Sequence, residues 1–288
     1  ASDNRDITGL GFAPHSVLIK NATNATANNT RPILNSREMY GDYATPLTAT
    51  ANAVDYIQAL QSDGFQVGAS VFVNGTGDTY YWVAFAGSGN YSASDSFEMD
   101  VGSYTGTGST LNVTGLSFSP NLVIVKDNGA NYAVFRTSLM AGDSTAYMSN
   151  AAANFTLGIT SLNSDGFTIG TSTVVNTNGN TYHWQAFGGA FNPYTNTGSA
   201  DFAIGAYMGN GLDNRDVTRL PWQPDFVATK RSGASSGVWR TSATSGDLSS
   251  FFGATAETAN YIQALNADGF EIGTNGVVNT AANLYHWF

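Results

Sequence analysis

The sequence predicts an all-β fold made of three tandem antiparallel β-sandwich domains, of jelly-roll or concanavalin-like type. Two observations lead to this prediction: a composition typical of short strands, and a threefold internal repetition. Of the 288 residues, 32 are Gly, none is Cys, 12% are aromatic and only 11% are charged. Disordered chains are poor in aromatic and β-branched residues, so we expect this chain to fold. Short apolar runs bounded by Gly, Asn and Ser indicate many short strands.

The repetition covers nearly the whole chain. The motif LGFAPHSVLIK at residues 10–20 returns as LSFSPNLVIVK at residues 116–126 and as LPWQPDFVATK at residues 220–230. An Asp-Gly-Phe motif and a Tyr-x-Trp motif follow in the same order each time. The period of about 103 residues exceeds the 20–50 residues of a solenoid repeat and suits a small domain with its own core.

We divide the chain at two stretches rich in Gly, Asn and Ser, because such composition is typical of linkers. They are AGSGNYSASD at residues 86–95 and FNPYTNTGSAD at residues 191–201. The division gives repeat 1 (residues 1–94), repeat 2 (residues 95–198) and repeat 3 (residues 199–288).

Two kinds of strand follow from the first part of each repeat. The proline motif predicts one strand, since β-branched residues follow the Pro. The segment YIQALQSDGFQVG predicts two strands joined by a turn at Asp63-Gly64, because Gly adopts positive φ at low cost. A helix over residues 50–61 is the alternative, and Gly158 in the matching segment of repeat 2 argues against it.

The last part of each repeat, VVNTNGNTYHWQAF in repeat 2, predicts strand, turn and strand. Asn178-Gly179 forms the predicted turn. In the second strand the period of two places Tyr182, Trp184 and Ala186 on one face and His183, Gln185 and Phe187 on the other, so that one set points inside and the other outside.

The ends of the repeated pattern are uneven. Repeats 2 and 3 open with the related segments FEMDVGSYTGTG (residues 97–108) and FAIGAYMGNG (residues 202–211), and repeat 1 lacks such a segment. The final strand of repeat 3 stops at Phe288. One interpretation is a fragment of a longer array. The other is that a neighbouring subunit supplies the first strand of repeat 1, because an exposed sheet edge invites pairing.

Charge and hydropathy exclude two classes of partner. The net charge is −10 with 11 Lys and Arg, and no basic stripe typical of a nucleic-acid binder is present. No apolar run approaches the roughly 18 residues of a membrane span. No signal peptide is evident. The low charge and the Asn, Thr and Gly content favour an extracellular, cell-surface or virion location.

The sequence predicts no enzyme, and no catalytic, cofactor or metal site. The three His are scattered, and no Gly-x-Ser-x-Gly motif is present. The Gly-Asp pairs that end at Asp42, Asp143 and Asp247, and the Asp before each Asp-Gly turn, are typical of turn chemistry. A Ca²⁺ site built from Asp and carbonyl oxygens is the alternative for them.

Aromatic residues separate into core and contact candidates. Trp82, Trp184 and Trp287 share one repeat position, so we expect them in the core. Trp239 and Arg240 are our candidates for ligand contact, because Trp239 has no Trp counterpart in the other repeats.

The chain also contains sequons for N-glycosylation, three of them in an insert of repeat 1, NATNATANNT (residues 21–30). The polar tip of a loop is the alternative explanation of this insert. The candidate acceptors are Asn21, Asn24, Asn28, Asn74, Asn90, Asn112 and Asn154.

The combination of the proline motif, Ser-Asp-Gly-Phe and VNTNG-x-TY-x-W-x-AF resembles repeat domains of bacteriophage tail-fibre and related virion proteins. Related domains are attached to bacterial surface proteins. Repeat 2 matches best; repeat 1 departs at VNGTGDTYYWVAF, and repeat 3 has Ala281-Ala282 in place of Asn-Gly. The resemblance implies an extracellular or virion β-sandwich array, and it transfers no catalytic residue.

These observations predict a non-enzymatic structural repeat array of a virion fibre or surface filament, which displays surfaces for attachment. The expected partner is another copy of the chain. One alternative is a carbohydrate-binding adhesin or receptor-binding module, with a surface glycan as partner. A further alternative is an accessory region of a polysaccharide-degrading enzyme.

Overall fold

The structure is a computed structural model that describes residues 2–23, 30–87, 97–193, 197–198 and 201–288. The described residues are nearly all β, which confirms the predicted all-β class. Repeat 1 contains β1 (Arg5–Thr8), β2 (Ser16–Asn21), β3 (Ile33–Ser36), β4 (Thr45–Pro46), β5 (Ile57–Gln61), β6 (Gly64–Val67), α1 (Val71–Asn74) and β7 (Tyr80–Phe85). Repeat 2 contains β8 (Glu98–Thr105), β9 (Leu111–Thr114), β10 (Pro120–Asp127), β11 (Val134–Thr137), β12 (Ala146–Tyr147), β13 (Ile159–Asn163), β14 (Gly166–Ile169), α2 (Thr173–Asn176) and β15 (Thr181–Gly188). Repeat 3 contains β16 (Gly205–Met208), β17 (Arg215–Thr218), β18 (Phe226–Arg231), β19 (Val238–Thr241), β20 (Leu248–Phe251), β21 (Thr258–Ala259), β22 (Ile262–Asn266), β23 (Gly269–Ile272), α3 (Gly276–Asn279) and β24 (Leu284–Trp287).

Each repeat contributes one large sheet and one three-stranded sheet, and the paired strands are antiparallel. The large sheets have the orders β4-β3-β2-β7, β12-β11-β10-β15-β8 and β16-β24-β18-β19-β20-β21. The small sheets have the orders β1-β6-β5, β13-β14-β9 and β17-β23-β22. Most of the first predicted linker (residues 88–95) and about half of the second (residues 194–196 and 199–200) lie outside the described residues.

The large sheets are buried on both faces, as the central strand β10 illustrates. Val123 and Val125 pack with the small sheet of repeat 2 in a cluster of that repeat alone. Leu122 and Ile124 point the other way, into a second cluster. A strand covered on both sides is expected to have a continuous apolar run, and the segment LVIV at residues 122–125 is such a run.

The second cluster draws on all three repeats, and we call it the shared core. Its buried members are Leu18, Leu34 and Leu47 of repeat 1, Met99, Val101, Leu122, Ile124, Ala133, Phe135, Met140, Ala146, Met148 and Phe187 of repeat 2, and Ile204, Ala228, Trp239 and Phe252 of repeat 3. The repeats therefore surround a common apolar centre in addition to their own cores.

The shared core corrects the prediction for the face that carries His183, Gln185 and Phe187. The alternation itself is confirmed, since Tyr182 and Trp184 pack in the cluster of repeat 2. Gln185 and Phe187 are nevertheless buried as well. Their face meets the other repeats instead of solvent.

The Asp-Gly turn is confirmed in each repeat, where it joins β5 to β6, β13 to β14 and β22 to β23. Its Gly is required by a close approach of the backbone. A Cβ on Gly64, Gly166 or Gly269 would lie 1.9, 1.9 or 2.0 Å from the carbonyl oxygen of a neighbouring strand. Only a residue without a side chain fits there.

The strand predicted over VVNT is wrong, because these residues form a helical turn, α2. Ser172 precedes this turn, and its side chain accepts a hydrogen bond from the Val174 amide. Asn176 ends the turn, and its Nδ2 donates to the carbonyls of Gly170 and Ser109 at 2.6 Å each. Local side-chain bonds of this kind favour a cap over a strand.

We expect Gly166→Ala to lower the free energy of unfolding by more than about 3 kcal/mol, because its Cβ would overlap a carbonyl oxygen. The matched control is Gly142→Ala, where φ is also positive (58°) and no heavy atom lies within 4 Å of the added Cβ. That change costs about 1 kcal/mol. Denaturant unfolding followed by tryptophan fluorescence measures both values, and equal losses would contradict the close approach.

Candidate functional site

The contact surfaces between repeats, which we call seams, contain every Lys of the chain. The chain has three, Lys20, Lys126 and Lys230, at the same position of the three proline motifs. All three side chains are buried, and none of them is more than 2% exposed. Because an isolated ammonium is very costly to bury, each must find acceptors inside the fold.

Lys20 joins repeat 1 to repeat 3. Its Nζ donates to the carbonyl oxygens of Phe251 at 2.6 Å, Gly253 at 3.0 Å and Thr255 at 2.9 Å. Three acceptors match the three N–H bonds of an ammonium group. Burial lowers the pKa of Lys20 to about 7, and the carboxylate of Glu257 acts in the opposite direction.

Lys126 and Lys230 hold the loops that follow their own strands. Lys126 Nζ donates to Gly129 O at 2.7 Å and forms a buried ion pair with Asp127 at 2.8 Å. Lys230 Nζ donates to Gly233 O at 3.1 Å and reaches Ala152 O of repeat 2 at 3.4 Å. These loops therefore have fixed shapes where they meet the preceding repeat.

At two of the seams the repeats are joined by a backbone hydrogen bond at an equivalent position. Ala133 N donates to Leu47 O at 3.0 Å between repeats 2 and 1, and Gly237 N donates to Met148 O at 2.8 Å between repeats 3 and 2. Pro32 occupies the corresponding position of repeat 1 and has no N–H to donate. At the third seam, between repeats 1 and 3, the Lys20 side chain donates the hydrogen bonds described above.

Two His lie beside the lysines, at equivalent positions of β15 and β24; His286 is buried and His183 is half-buried. Burial, and then the charge of Lys126, lower the pKa of His183 to about 4. Burial and Lys230 do the same for His286. Both His are therefore neutral at neutral pH, and each adds an acid-sensitive group to the interior.

An apolar cavity of about 370 Å³ lies between the repeats, and most of its lining residues belong to repeat 3. Its wall includes Phe85, Phe187, Trp222, Phe226 and Phe288. Trp222 is the counterpart of Phe118, which packs against Gly188 at the end of β15 in repeat 2.

The predicted ligand contacts, Trp239 and Arg240, are wrong because both residues are buried. Trp239 is 0% exposed and belongs to the shared core. The Arg240 guanidinium donates to Gly246 O at 2.7 Å and Thr244 O at 3.0 Å in its own loop. Arg136 binds the matching loop of repeat 2 in the same manner.

The recurring Gly-Asp pairs stabilise turns. Asp143 Oδ2 accepts from the amide of Leu157 at 2.8 Å, and Asp247 Oδ2 accepts from the amide of Asn260 at 3.0 Å. Both amides belong to residues with positive φ, 61° and 69°, a conformation that is costly without such support. Within the described ranges, no three His, Asp or Glu side chains are grouped to hold a metal ion.

The glycosylation candidates divide by position. The prediction is wrong for Asn21 and Asn74, because both side chains are buried and leave no room for a glycan. Asn21 Nδ2 donates to Asp78 Oδ2 at 2.7 Å, and Asn74 Nδ2 donates to Gly68 O at 2.9 Å. Asn112 is exposed and Asn154 is half-buried, and for these two the prediction stands. Asn24, Asn28 and Asn90 lie outside the described residues.

The edge of the large sheet of repeat 1 is open along β7, and we call it the β7 edge. In repeats 2 and 3, β8 and β16 cover the matching strands β15 and β24. Among the described residues no strand pairs with β7 on this side. Trp82 is consequently 39% exposed, against 7% for Trp184 and 4% for Trp287, so its predicted core position is wrong.

The buried lysines are the functional residues that the sequence reasoning missed. A signal was available, because a Lys that recurs three times at the end of an apolar strand is unusual in a chain with only three. The described helices are four residues each, too short to cross a membrane.

We expect Lys20→Met to lower the free energy of unfolding by about 2–4 kcal/mol, because three buried carbonyl groups would lose their donor. The control is Arg37→Met, which removes an exposed charge and is expected to change stability by about 0.5 kcal/mol or less. Denaturant unfolding at pH 6 provides the comparison. Equal stability of the two variants would show that Lys20 does not hold the third seam.

Acid is expected to destabilise the fold between pH 6.5 and pH 4. In this window the unfolded chain binds protons on His183 and His286 that the folded chain does not, so stability falls as the pH falls. The loss approaches about 3 kcal/mol per His. The variant His183→Gln/His286→Gln should show a much flatter dependence in unfolding experiments at stepped pH. An unchanged slope would assign the acid sensitivity to other groups.

Comparison with known proteins matches the middle of the chain to a family model. A family model described as a domain of unknown function (DUF7483) matches residues 92–200. This range includes the whole of repeat 2. Comparisons with curated proteins and with solved structures find no match.

Proposed function

We propose that the chain is a non-enzymatic structural unit of a virion fibre or an extracellular surface filament. In this unit three β-sandwich repeats close around one axis and display their outer surfaces for attachment. The observation that carries the proposal is the shared core, which joins apolar residues of all three repeats. Such a centre makes the repeats one rigid body instead of a flexible string.

The sandwich architecture of each repeat is part of this proposal. In repeat 1, Val17 and Ile19 of the large sheet pack with Phe65 and Val67 of the small sheet. Repeats 2 and 3 have equivalent clusters between their two sheets. Two antiparallel sheets with a core between them are the defining feature of a sandwich.

The recurring polar residues support a structural function, because each has a task within the fold. The three Lys bind carbonyl groups, as described above. Asn74, Asn176 and Asn279 each donate to two backbone carbonyls beside the helical turns. In a catalytic site we would expect recurring polar groups to converge on a cleft.

The two alternatives are less well supported. The carbohydrate-binding alternative had Trp239 and Arg240 as contact candidates, and both are buried. The third alternative, an accessory region of a polysaccharide-degrading enzyme, has no described residue that specifically favours it. We therefore propose the structural function and neither of the two alternatives.

A compact unit has a definite size in solution. For 288 residues packed as one body we expect a radius of gyration of about 19 Å by small-angle X-ray scattering. Dilute protein at moderate salt isolates the single unit. Three repeats extended as a string would give a clearly larger value and would overturn the closed arrangement.

Assembly is the second measurable property. We expect analytical ultracentrifugation over a concentration series to show larger species that grow with concentration, and electron microscopy to show regular particles or filaments. A strictly monomeric chain at every concentration would contradict a building-block function. Release of reducing sugar ends from polysaccharides by the purified chain would contradict the non-enzymatic assignment.

A further inference from the structure

We propose that two of the seams contain equivalent binding sites for a buried water molecule, one between Ser36 and His183 and one between Thr137 and His286. The first site joins repeat 1 to repeat 2, and the second joins repeat 2 to repeat 3. Each water links a hydroxyl group of one repeat to an imidazole nitrogen of the next. Both sites belong to the fold of the chain and do not depend on the proposed structural function.

Two polar atoms at each of these seams are buried and have no hydrogen-bond partner among the described residues. They are Ser36 Oγ and His183 Nδ1 at the first seam, and Thr137 Oγ1 and His286 Nδ1 at the second. Leaving such an atom unpaired costs about 1–3 kcal/mol. Because nearly all buried polar groups in folded proteins bind another group or an ordered water, we expect a small hydrogen-bonding molecule beside these atoms.

A small cavity at the first seam provides the room. Its lining includes Ser36 of repeat 1 and Lys126, His183 and Gln185 of repeat 2, and its volume is about 10 Å³. One water needs roughly 10–15 Å³ and about two to four polar partners. Gln185 supplies a third partner, since its Nε2 is also buried and unpaired. Its Oε1 is already used, because it accepts from Ser16 Oγ at 3.2 Å.

The loop that follows each hydroxyl explains why two of the three are unpaired. Ser36, Thr137 and Thr241 end β3, β11 and β19 at the same position of the repeat. In repeat 3, Thr241 Oγ1 shares a hydrogen bond at 3.1 Å with Thr244 Oγ1. Repeats 1 and 2 have Met at the position of Thr244, and a thioether is only a weak acceptor. Their hydroxyl groups therefore need a partner from outside the loop.

The third seam shows the arrangement without a water site. Tyr81 stands there at the position of the two His, since it lies opposite Lys20 as His183 lies opposite Lys126. Thr241 faces this seam from repeat 3 and is already paired in its own loop. Neither Tyr81 nor Thr241 has a buried polar atom that lacks a partner. At these equivalent positions, an unpaired hydroxyl thus coincides with a His.

Water fits these two sites better than an anion, because the nearby ammonium groups have no N–H left to donate. Lys126 Nζ already donates to two oxygens of Asp127 and to Gly129 O. Lys230 Nζ donates to three backbone carbonyl groups. Three acceptors use all three N–H bonds of an ammonium. The imidazoles are neutral at neutral pH, and water can donate to or accept from such a ring and a hydroxyl alike.

The bridging waters add a second kind of link between neighbouring repeats. A bond through water is enthalpically nearly as favourable as a direct hydrogen bond. The seams of repeat 2 with repeats 1 and 3 would then each have a backbone hydrogen bond and a water bridge. The third seam has the Lys20 ammonium instead of both.

The first test is a crystal structure of the intact chain at a resolution that shows ordered water. We expect one water within about 2.7–3.2 Å of Ser36 Oγ and His183 Nδ1, and another between Thr137 Oγ1 and His286 Nδ1. Crystals grown with bromide distinguish an anion, because bromide scatters anomalously. A bromide peak in place of the water, or the lack of density at either seam, would overturn the proposal.

The second test counts long-lived internal water in solution by magnetic relaxation dispersion of the water signal. Thr137→Val removes the hydroxyl and keeps the shape of the side chain, so we expect one long-lived water fewer than in the unmodified chain. The matched control is Thr241→Val, the same change at the third seam, which should leave the number unchanged. The same number of waters in the chain and in Thr137→Val, or an equal loss in both variants, would refute the site. If Thr137→Val does not fold, the crystal structure of the unmodified chain still decides.

Discussion

Burial of the second face of each large sheet is the constraint on which the rest of the structure depends. An antiparallel sheet with one small sheet against it leaves its other face apolar here, and Leu18, Leu122 and Ala228 occupy that face in the three repeats. Burying it stabilises the fold by about 25 cal/mol per Å² of apolar surface. The three faces cover one another around a common centre, and the positions of the seams and the lysines follow from this arrangement.

Closing the centre brings backbone and charge into dry surroundings. At the ends of three central strands a Lys side chain donates to the carbonyl groups of nearby loops. Burying such charges costs free energy. We therefore infer that the lysines fix the shape of the loops, because an ammonium with three carbonyl acceptors holds a loop in one conformation. Neutral His183 and His286 fit beside these charges because burial keeps them unprotonated.

Much of the fold could be predicted from the sequence, since local rules govern it. The Asp-Gly turns followed from the low cost of positive φ at Gly, and the alternation of Tyr182 and Trp184 followed from the strand period. The helical turn over residues 173–176 was missed because four residues carry no periodicity. Trp239 was misplaced because the shared core to which it belongs is completed by residues of the other two repeats, which no local pattern reveals. The continuous run LVIV was a sign of two buried faces. Of the candidate site, the uncovered strand of repeat 1 was foreseen from the missing segment, and the seams were not.

Pro32 has a consequence for local unfolding. The chain runs directly from repeat 1 to repeat 2 and from repeat 2 to repeat 3, whereas repeats 3 and 1 meet without a direct covalent connection. The seam between repeats 3 and 1 lacks the backbone hydrogen bond that the other two seams have, because Pro32 has no N–H. Lys20, whose pKa is lowered by burial, provides the hydrogen bonds there instead. Closing it also carries the largest loop entropy of the three. Local opening should therefore occur first at the seam between repeats 3 and 1, and this opening would briefly expose the shared core.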